Sequence, residues 1–416
     1  MKLLIKNIRQ LVGVHDLETE KVAGENMARL PFINDAWLAA EDGRIVDFGK
    51  MENFPGITDW SFLEVIDASG KTVLPAWCDS HTHLVFAGSR EEEFVDKIKG
   101  LSYEEIAKRG GGIINSAILI SQTSEEELFE SAKQRLFEII RQGTGAVEIK
   151  SGYGLNVENE LKMLRVIKRL KEISPIPIKA TFLGAHSFPM EYRGNEDAYV
   201  DLVIEKMIPA VANEKLADYI DVFCETGFFS EEQTERILSA GAAYDMKPKI
   251  HANELSYSGG VQVGVKHRAV SVDHLECTSD EEISALLDSN TMPTLLPSTA
   301  FFIGLNYPPA RQMINKGLPL ALASDYNPGS SPSGRMSFIL SLACIKMKML
   351  PEEAINAATL NGAYAMELHH DLGSICRGKK ANLIITKEIP SINYIPYKFG
   401  IDLIDSVIIN GTVFTD

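Results

Sequence analysis

The chain has 416 residues, 45% of them hydrophobic, and 57 acidic side chains against 41 basic ones leave a formal charge of −16. That length suits a barrel of about 250 residues with a smaller companion rather than one ordinary domain. The charge disfavours nucleic acid or an anionic membrane as a partner, and no uninterrupted apolar stretch of about 18 residues is there to span a bilayer.

The opening MKLLIKNIRQLVGV breaks its apolar run with Lys6 and Arg9 and has no small-residue cleavage site, so no signal peptide is expected. Residues 1–70 carry short strand-like pieces, KLLIKNIRQLV, AWLAAEDGRIVDFG and FLEVIDASGK, joined by glycine-centred turns. They are too few to bury a core alone. From residue 71 to residue 370 the pattern changes. Eight β-branched or apolar runs, KTVLPAWCDSHTH, GAVEIKSGYG, PIKATFLGAH, YIDVFCETG, KPKIHANEL, AVSVDHLE, MPTLLPST and PLALASDYN, alternate with charged segments of helical period such as EEELFESAKQRLFEIIRQG and ENELKMLRVIKRLKEI. Repeated strand–helix alternation means a parallel sheet, and eight units fit a closed (β/α)8 TIM-like barrel. A doubly wound open sheet gives a similar string. Residues 371–416 return to short strands, GSICRGKKANLIIT and DLIDSVIINGTVFTD. The two ends are therefore expected to pair, 1–70 with 371–416, into one small β-sandwich domain beside the barrel. Cys78, Cys224, Cys277, Cys344 and Cys376 are scattered, odd in number and without CxxC spacing. They read as reduced, packed thiols of a cytoplasmic protein.

A parallel barrel does its chemistry where strands end. Of nine histidines, five lie at the ends of these runs: His81 and His83 on the first, His186 on the third, His251 on the fifth and His274 on the sixth. Residues i and i+2 of a strand share a face, so His81 and His83 aim at one point. With His251 and with Asp325 on the eighth run they make a set of three nitrogens and one oxygen, suited to one divalent metal such as Zn²⁺ or Fe²⁺. Such a metal lowers the pKa of a bound water to about 7.

The HxH, the fifth-strand His, the sixth-strand His and the eighth-strand Asp resemble the amidohydrolase superfamily. More closely, HTHLVFAGSREEEF, GGGI, EIKSGYGL, FLGAH, HANE and ASDYNPGSS resemble the imidazolonepropionase family along nearly the whole chain. The resemblance implies hydrolysis of the cyclic amide 4-imidazolone-5-propanoate to N-formimidoyl-L-glutamate, a step in histidine degradation, and Tyr153 and His186 match its substrate-contacting pair. The residues agree with that chemistry. Asp325 can take the proton of the attacking water, and His274 can orient the water or stabilise an oxyanion. Glu254, three residues after His251, points into the site if the strand turns helical there; it can shuttle protons, or merely stabilise a helix N-terminus. The family likewise has a substrate contact at this position.

Arg90, seven residues after His83, can grip a propionate bidentately, or pair on the surface with Glu91 to Glu93. Asn327, Gly329 and Ser330 in NPGSS offer backbone N–H groups and small side chains, or form an ordinary turn. Lys150 lies on strand two, and strand four has no lysine to bridge a second metal, so one metal per chain is expected. Cys224 reads as packed rather than ligating. RGGGI at 109–113 reads as a cover over the site, not a phosphate loop. A homodimer acting on a small carboxylate-bearing substrate is the expected form. Two other readings compete: an aminohydrolase of the cytosine or guanine deaminase kind, which has no carboxylate for Arg90 to hold, and a silent binding protein, which has no reason to keep every catalytic part.

Overall fold

The computed structural model describes residues 2–101 and 111–415. Five strands open the chain: β1 (Lys2–Val12), β2 (Phe32–Glu41), β3 (Arg44–Lys50), β4 (Leu63–Asp67) and β5 (Lys71–Pro75). Eight follow: β6 (Trp77–Thr82), β7 (Thr144–Lys150), β8 (Ile178–Ala185), β9 (Tyr219–Cys224), β10 (Lys247–Ala252), β11 (Ser271–His274), β12 (Met292–Leu295) and β13 (Ala321–Leu322). Three close it: β14 (Leu383–Glu388), β15 (Ile404–Ile409) and β16 (Thr412–Val413).

Strands β6 to β13 form one parallel sheet in chain order. It closes on itself where β6 runs into the residues after β13. Asp325 N–H donates to His81 O at 3.0 Å and His83 N–H to Tyr326 O at 2.9 Å. Helices cover the outside. Glu125–Arg141 starts at a capping box of Ser124 and Glu127 and buries Leu128, Ala132, Leu136 and Ile139 at three- and four-residue spacing. Val157–Ile173 is capped by Asn156 and buries Leu161, Leu164 and Ile167 the same way.

The remaining strands build the small β-sandwich from both ends of the chain, in the order β16-β15-β14-β5-β1-β2-β3, with β4 also on β1. The first half of β1 pairs with β4 and its second half with β5, so the sheet wraps round its own core of Leu3, Ile5, Leu38, Val73, Leu383 and Ile408. The fold is thus a (β/α)8 barrel with a sandwich from the termini. The first run differs from its reading as one strand. KTVLP belongs to the sandwich and WCDSHT to the barrel. At the junction, Ala76 N–H donates to Asn382 O and Trp77 N–H to Gly143 O, both at 2.9 Å, so the backbone changes sheets between adjacent residues. The connection after β6 carries a helix at Ile113–Gln122, while Arg109 and Gly110 of the expected cover lie outside the described residues.

Candidate active site

Barrels of this kind are usually packed with branched apolar side chains. This one places charge inside. Asp79, His81, Glu148, Lys150, Asp221, Lys249, His251 and Asp273 are all buried. Most sit at alternate positions of their strands, so they share the inward face.

The structure gathers the expected metal residues at the open end. His81 and His251 have ring centroids 4.5 Å apart, and His83 and His251 5.6 Å. Asp325 Oδ1 lies 3.4 Å from His81 Nε2 and 3.5 Å from His83 Nε2. Burial holds the imidazoliums of His81 and His83 well below the usual range, so both rings are neutral. His81 Nδ1 is hydrogen-bonded to Asp273 Oδ2 at 2.6 Å, whereas His251 Nδ1, 3.0 Å from Asp221 Oδ2, makes a close contact without hydrogen-bond geometry. On His81, a proton kept on Nδ1 by the carboxylate leaves Nε2 as a lone pair, the usual state of a metal-ligating His. The Nε2 atoms of His81 and His251 are both buried with no hydrogen-bond partner among the described residues. Such orphaned acceptors are costly unless something electrophilic meets them. His81 brings its ligand atom within 4.8 Å of those of His83 and Asp325, and within 4.8 Å of those of His251 and His274, a donor chemistry that fits a divalent cation.

Beside these residues stand further titratable groups. His274 Nε2 is 3.7 Å from Glu254 Oε2 and its Nδ1 is 3.6 Å from Glu276 Oε2. Burial pushes the His274 imidazolium down, but Glu254, Glu276 and Asp325 outweigh it and raise it to about 10. Burial raises the Glu254 carboxyl to about 7, against the pull of His274. Asp325 Oδ2 accepts from Thr299 Oγ1 at 2.5 Å. Three non-glycine residues here, Asn253, His274 and Asp325, have left-handed φ of 57°, 87° and 53°. Strain of about 1–3 kcal/mol each is typical of functional sites. The helical turn expected to carry Glu254 is absent: after β10 the chain bends through Asn253, and the next helix begins at Gly260. Glu254 enters from a loop whose next two N–H groups, of Leu255 and Ser256, donate to Glu225 Oε2.

The cleft above, about 500 Å³, is lined by Arg90, Tyr153, His186, Asn327, Gly329 and Ser330 together with His83, His251, Glu254, His274 and Asp325. His186 stacks on His83 with centroids 5.5 Å apart, and Tyr153 lies 5.4 Å from His186. Burial, with His251 nearby, pushes the His186 imidazolium down to about 3. Arg90 donates from Nε and Nη2 to Glu93 Oε2 at 2.9 and 2.6 Å, and a Cβ on Gly329 would collide with its Nη1. The NPGSS amides depart from expectation. Gly329 N–H and Ser330 N–H both donate to Asn327 Oδ1 at 2.8 Å, so they hold the turn and are not open to an anion.

Sequence reasoning missed Lys97, which lines the cleft and donates to Gly329 O at 3.3 Å. It lies seven residues from Arg90 with Glu93 between, on one face of the helix Glu91–Ile98, and that spacing was the available signal. It also missed Asp221, a buried acid inside a strand otherwise read as an apolar run, and Glu276, and it gave no role to Asp273 at the end of the sixth run.

The amidohydrolase family model matches residues 72–414. An imidazolonepropionase of Flavobacterium johnsoniae is 60% identical over 413 residues, 99% of this chain and 100% of the relative. A mutant atrazine chlorohydrolase from Arthrobacter aurescens, solved with zinc and atraton, superposes with a TM-score of 0.72 at 16% identity, covering 100% of this chain and 95% of that one. A guanine deaminase from C. acetobutylicum does so with a TM-score of 0.70 at 15% identity, covering 100% of both chains. At such identities the likeness is one of fold.

Proposed function

We infer the reaction from one premise: the chain belongs to the amidohydrolase family, and the full-length relative it matches at 60% identity is an imidazolonepropionase. The chain is a hydrolase that opens 4-imidazolone-5-propanoate at its cyclic amide, giving N-formimidoyl-L-glutamate in histidine degradation. Water adds to the ring carbonyl carbon, the carbon–nitrogen bond breaks, and the departing ring nitrogen takes a proton.

His81, His83, His251 and Asp325 are the residues that would hold one divalent cation, of the zinc or ferrous kind. When bound, such a cation acidifies water and polarises a carbonyl. The chain's own groups do the rest. Asp325, with Oδ2 engaged by Thr299, accepts the proton of the attacking water through the other oxygen. His274, charged between its carboxylates, orients that water and donates to the oxygen on which negative charge develops. Glu254, raised to about 7, gives up or takes a proton near neutrality and protonates the leaving nitrogen. Arg90 binds the propionate, with Lys97 as a second cation in the same cleft. Tyr153 and His186 wall the ring, and Asn327, Gly329 and Ser330 shape the floor under Arg90. Five free thiols suit a reducing cytoplasm.

The observation that carries this reading is one cleft lined by His83, His251 with its orphaned Nε2, and Asp325 together with Arg90 and Lys97, in an otherwise acidic protein. The test is metal analysis of purified protein with turnover followed in parallel on imidazolonepropanoate and on cytosine and guanine. One equivalent of metal with ring opening of the acid is expected. Ammonia release from a nucleobase, without imidazolonepropanoate turnover, overturns it.

A further inference from the structure

Lys150 takes no part in the steps above, yet it is fully buried at the end of β7 against three carboxylates. Its Nζ lies 2.6 Å from Glu148 Oε1, 2.8 Å from Asp221 Oδ2 and 3.6 Å from Asp273 Oδ2. Two of those oxygens also face an imidazole. Asp221 Oδ2 lies 3.0 Å from His251 Nδ1, a close contact without hydrogen-bond geometry, while Asp221 Oδ1 accepts from His251 N–H at 3.1 Å; Asp273 Oδ2 is hydrogen-bonded to His81 Nδ1 at 2.6 Å. We propose that Lys150 is a positioning residue that sets two metal-facing imidazoles at once, holding His251 through Asp221 and His81 through Asp273 with Nε2 turned to the metal; the proposal rests on the metal reading above.

A carboxylate beside an imidazole can swing its oxygens. An ammonium 2.8 Å from Asp221 Oδ2 and 3.6 Å from Asp273 Oδ2 fixes which oxygen faces the ring. Burial opposes the charge on Lys150, but Asp221, Glu148 and Asp273 outweigh it and hold the ammonium above the usual lysine range. Lys150 is itself pinned from below. Glu148 also pairs with Lys249 and accepts from Thr181 Oγ1 at 2.6 Å, so the ammonium cannot drift from the two aspartates. Without it, three buried carboxylates would be left with the Lys249 ammonium on Glu148.

The test measures Zn²⁺ affinity of metal-free protein by chelator competition, for wild type, Lys150→Gln, Asp273→Asn and the double variant, with folding checked by circular dichroism. Lys150→Gln should bind zinc about 10–100-fold more weakly, the range for partners that orient a ligand. The double variant should bind several-fold more weakly than Asp273→Asn, through loss of the Asp221 branch. Its loss should still be smaller than the product of the single losses, because the Asp273 branch is shared. A folded Lys150→Gln within twofold of wild type overturns the proposal. So does a double variant whose losses multiply in full. If Lys150→Gln alone does not fold, the double variant removes one charge of each sign, and equality with Asp273→Asn then overturns the proposal. Wild-type protein that binds no zinc and no ferrous iron would fail the metal reading itself, a separate result.

Discussion

Arg90 has room to reach into the cleft only because residue 329 is glycine, since any Cβ there would meet its Nη1. The obstacle would strike the tip of a flexible side chain and not backbone, so Gly329→Ala should move Arg90 and spare the fold. We expect kcat/KM to fall about 10–100-fold, mainly through KM, with Tm unchanged; an unchanged KM would show that Arg90 does not bind substrate. Replacing Arg90 by Met should cost about 2–5 kcal/mol in kcat/KM on the acid, by analogy with truncating one partner of a buried charge pair. The propanamide analogue should lose far less, and equal losses would detach Arg90 from the carboxylate. Glu254→Gln keeps shape and removes the exchangeable proton, so metal content should stay at one per chain while turnover drops about 10²–10⁴-fold. Loss of metal in that variant would make Glu254 a ligand instead. Part of this site was legible from residue types: the i, i+2 histidines and Arg90 after them stand out in the sequence, while Lys97 does not. The job of the NPGSS amides was not, because a sequence shows that a turn has N–H groups but not that Asn327 Oδ1 already accepts two of them.

Strand β6 and the residues after β13 meet at the barrel's closing seam, and most of the proposed metal set is on it: His81 and His83 on one side, Asp325 on the other. Below them Asp79 accepts from Ser324 twice, from N–H at 2.9 Å and from Oγ at 2.6 Å. Ser324→Ala removes the second bond and strands part of a buried carboxylate, which should lower stability by about 1–3 kcal/mol in urea unfolding. Zinc affinity should weaken with it, since both sides of the seam carry ligands. A destabilised variant with wild-type zinc affinity would show that the seam does not set the site. The eight barrel strands could be read from the sequence because each run is bounded by helix-period segments. The break inside KTVLPAWCDSHTH could not. Both halves are buried, so the hydrophobic pattern runs straight through Ala76, and only the hydrogen-bond partners of Ala76 and Trp77 tell the two sheets apart. Asp221 and Asp273 were hidden for a related reason: an acid in a short apolar run reads as an irregularity until the closed barrel shows an imidazole in reach, from the neighbouring strand for Asp221 and from across the barrel for Asp273.

For the whole molecule, the charged barrel interior should make stability depend on metal. A cation that binds only the native state at 100 times its Kd adds about 2.7 kcal/mol. Calorimetry of metal-free protein with and without Zn²⁺ should therefore show a higher Tm with zinc, and coincident transitions would mean the native state holds none. The sandwich carries another consequence, one of timing. Strand β5 lies between β1, made at the start of synthesis, and β14, which begins 308 residues after the end of β5 (383 − 75). At about 5–20 residues per second, the ribosome delivers that partner about 15–60 s after β5 emerges. Through that interval the apolar faces of β1, β2 and β5 wait without the strands that cover them. The barrel between must be made meanwhile, so nascent chains of this protein are predisposed to recruit chaperones early and release them only when the last strands arrive.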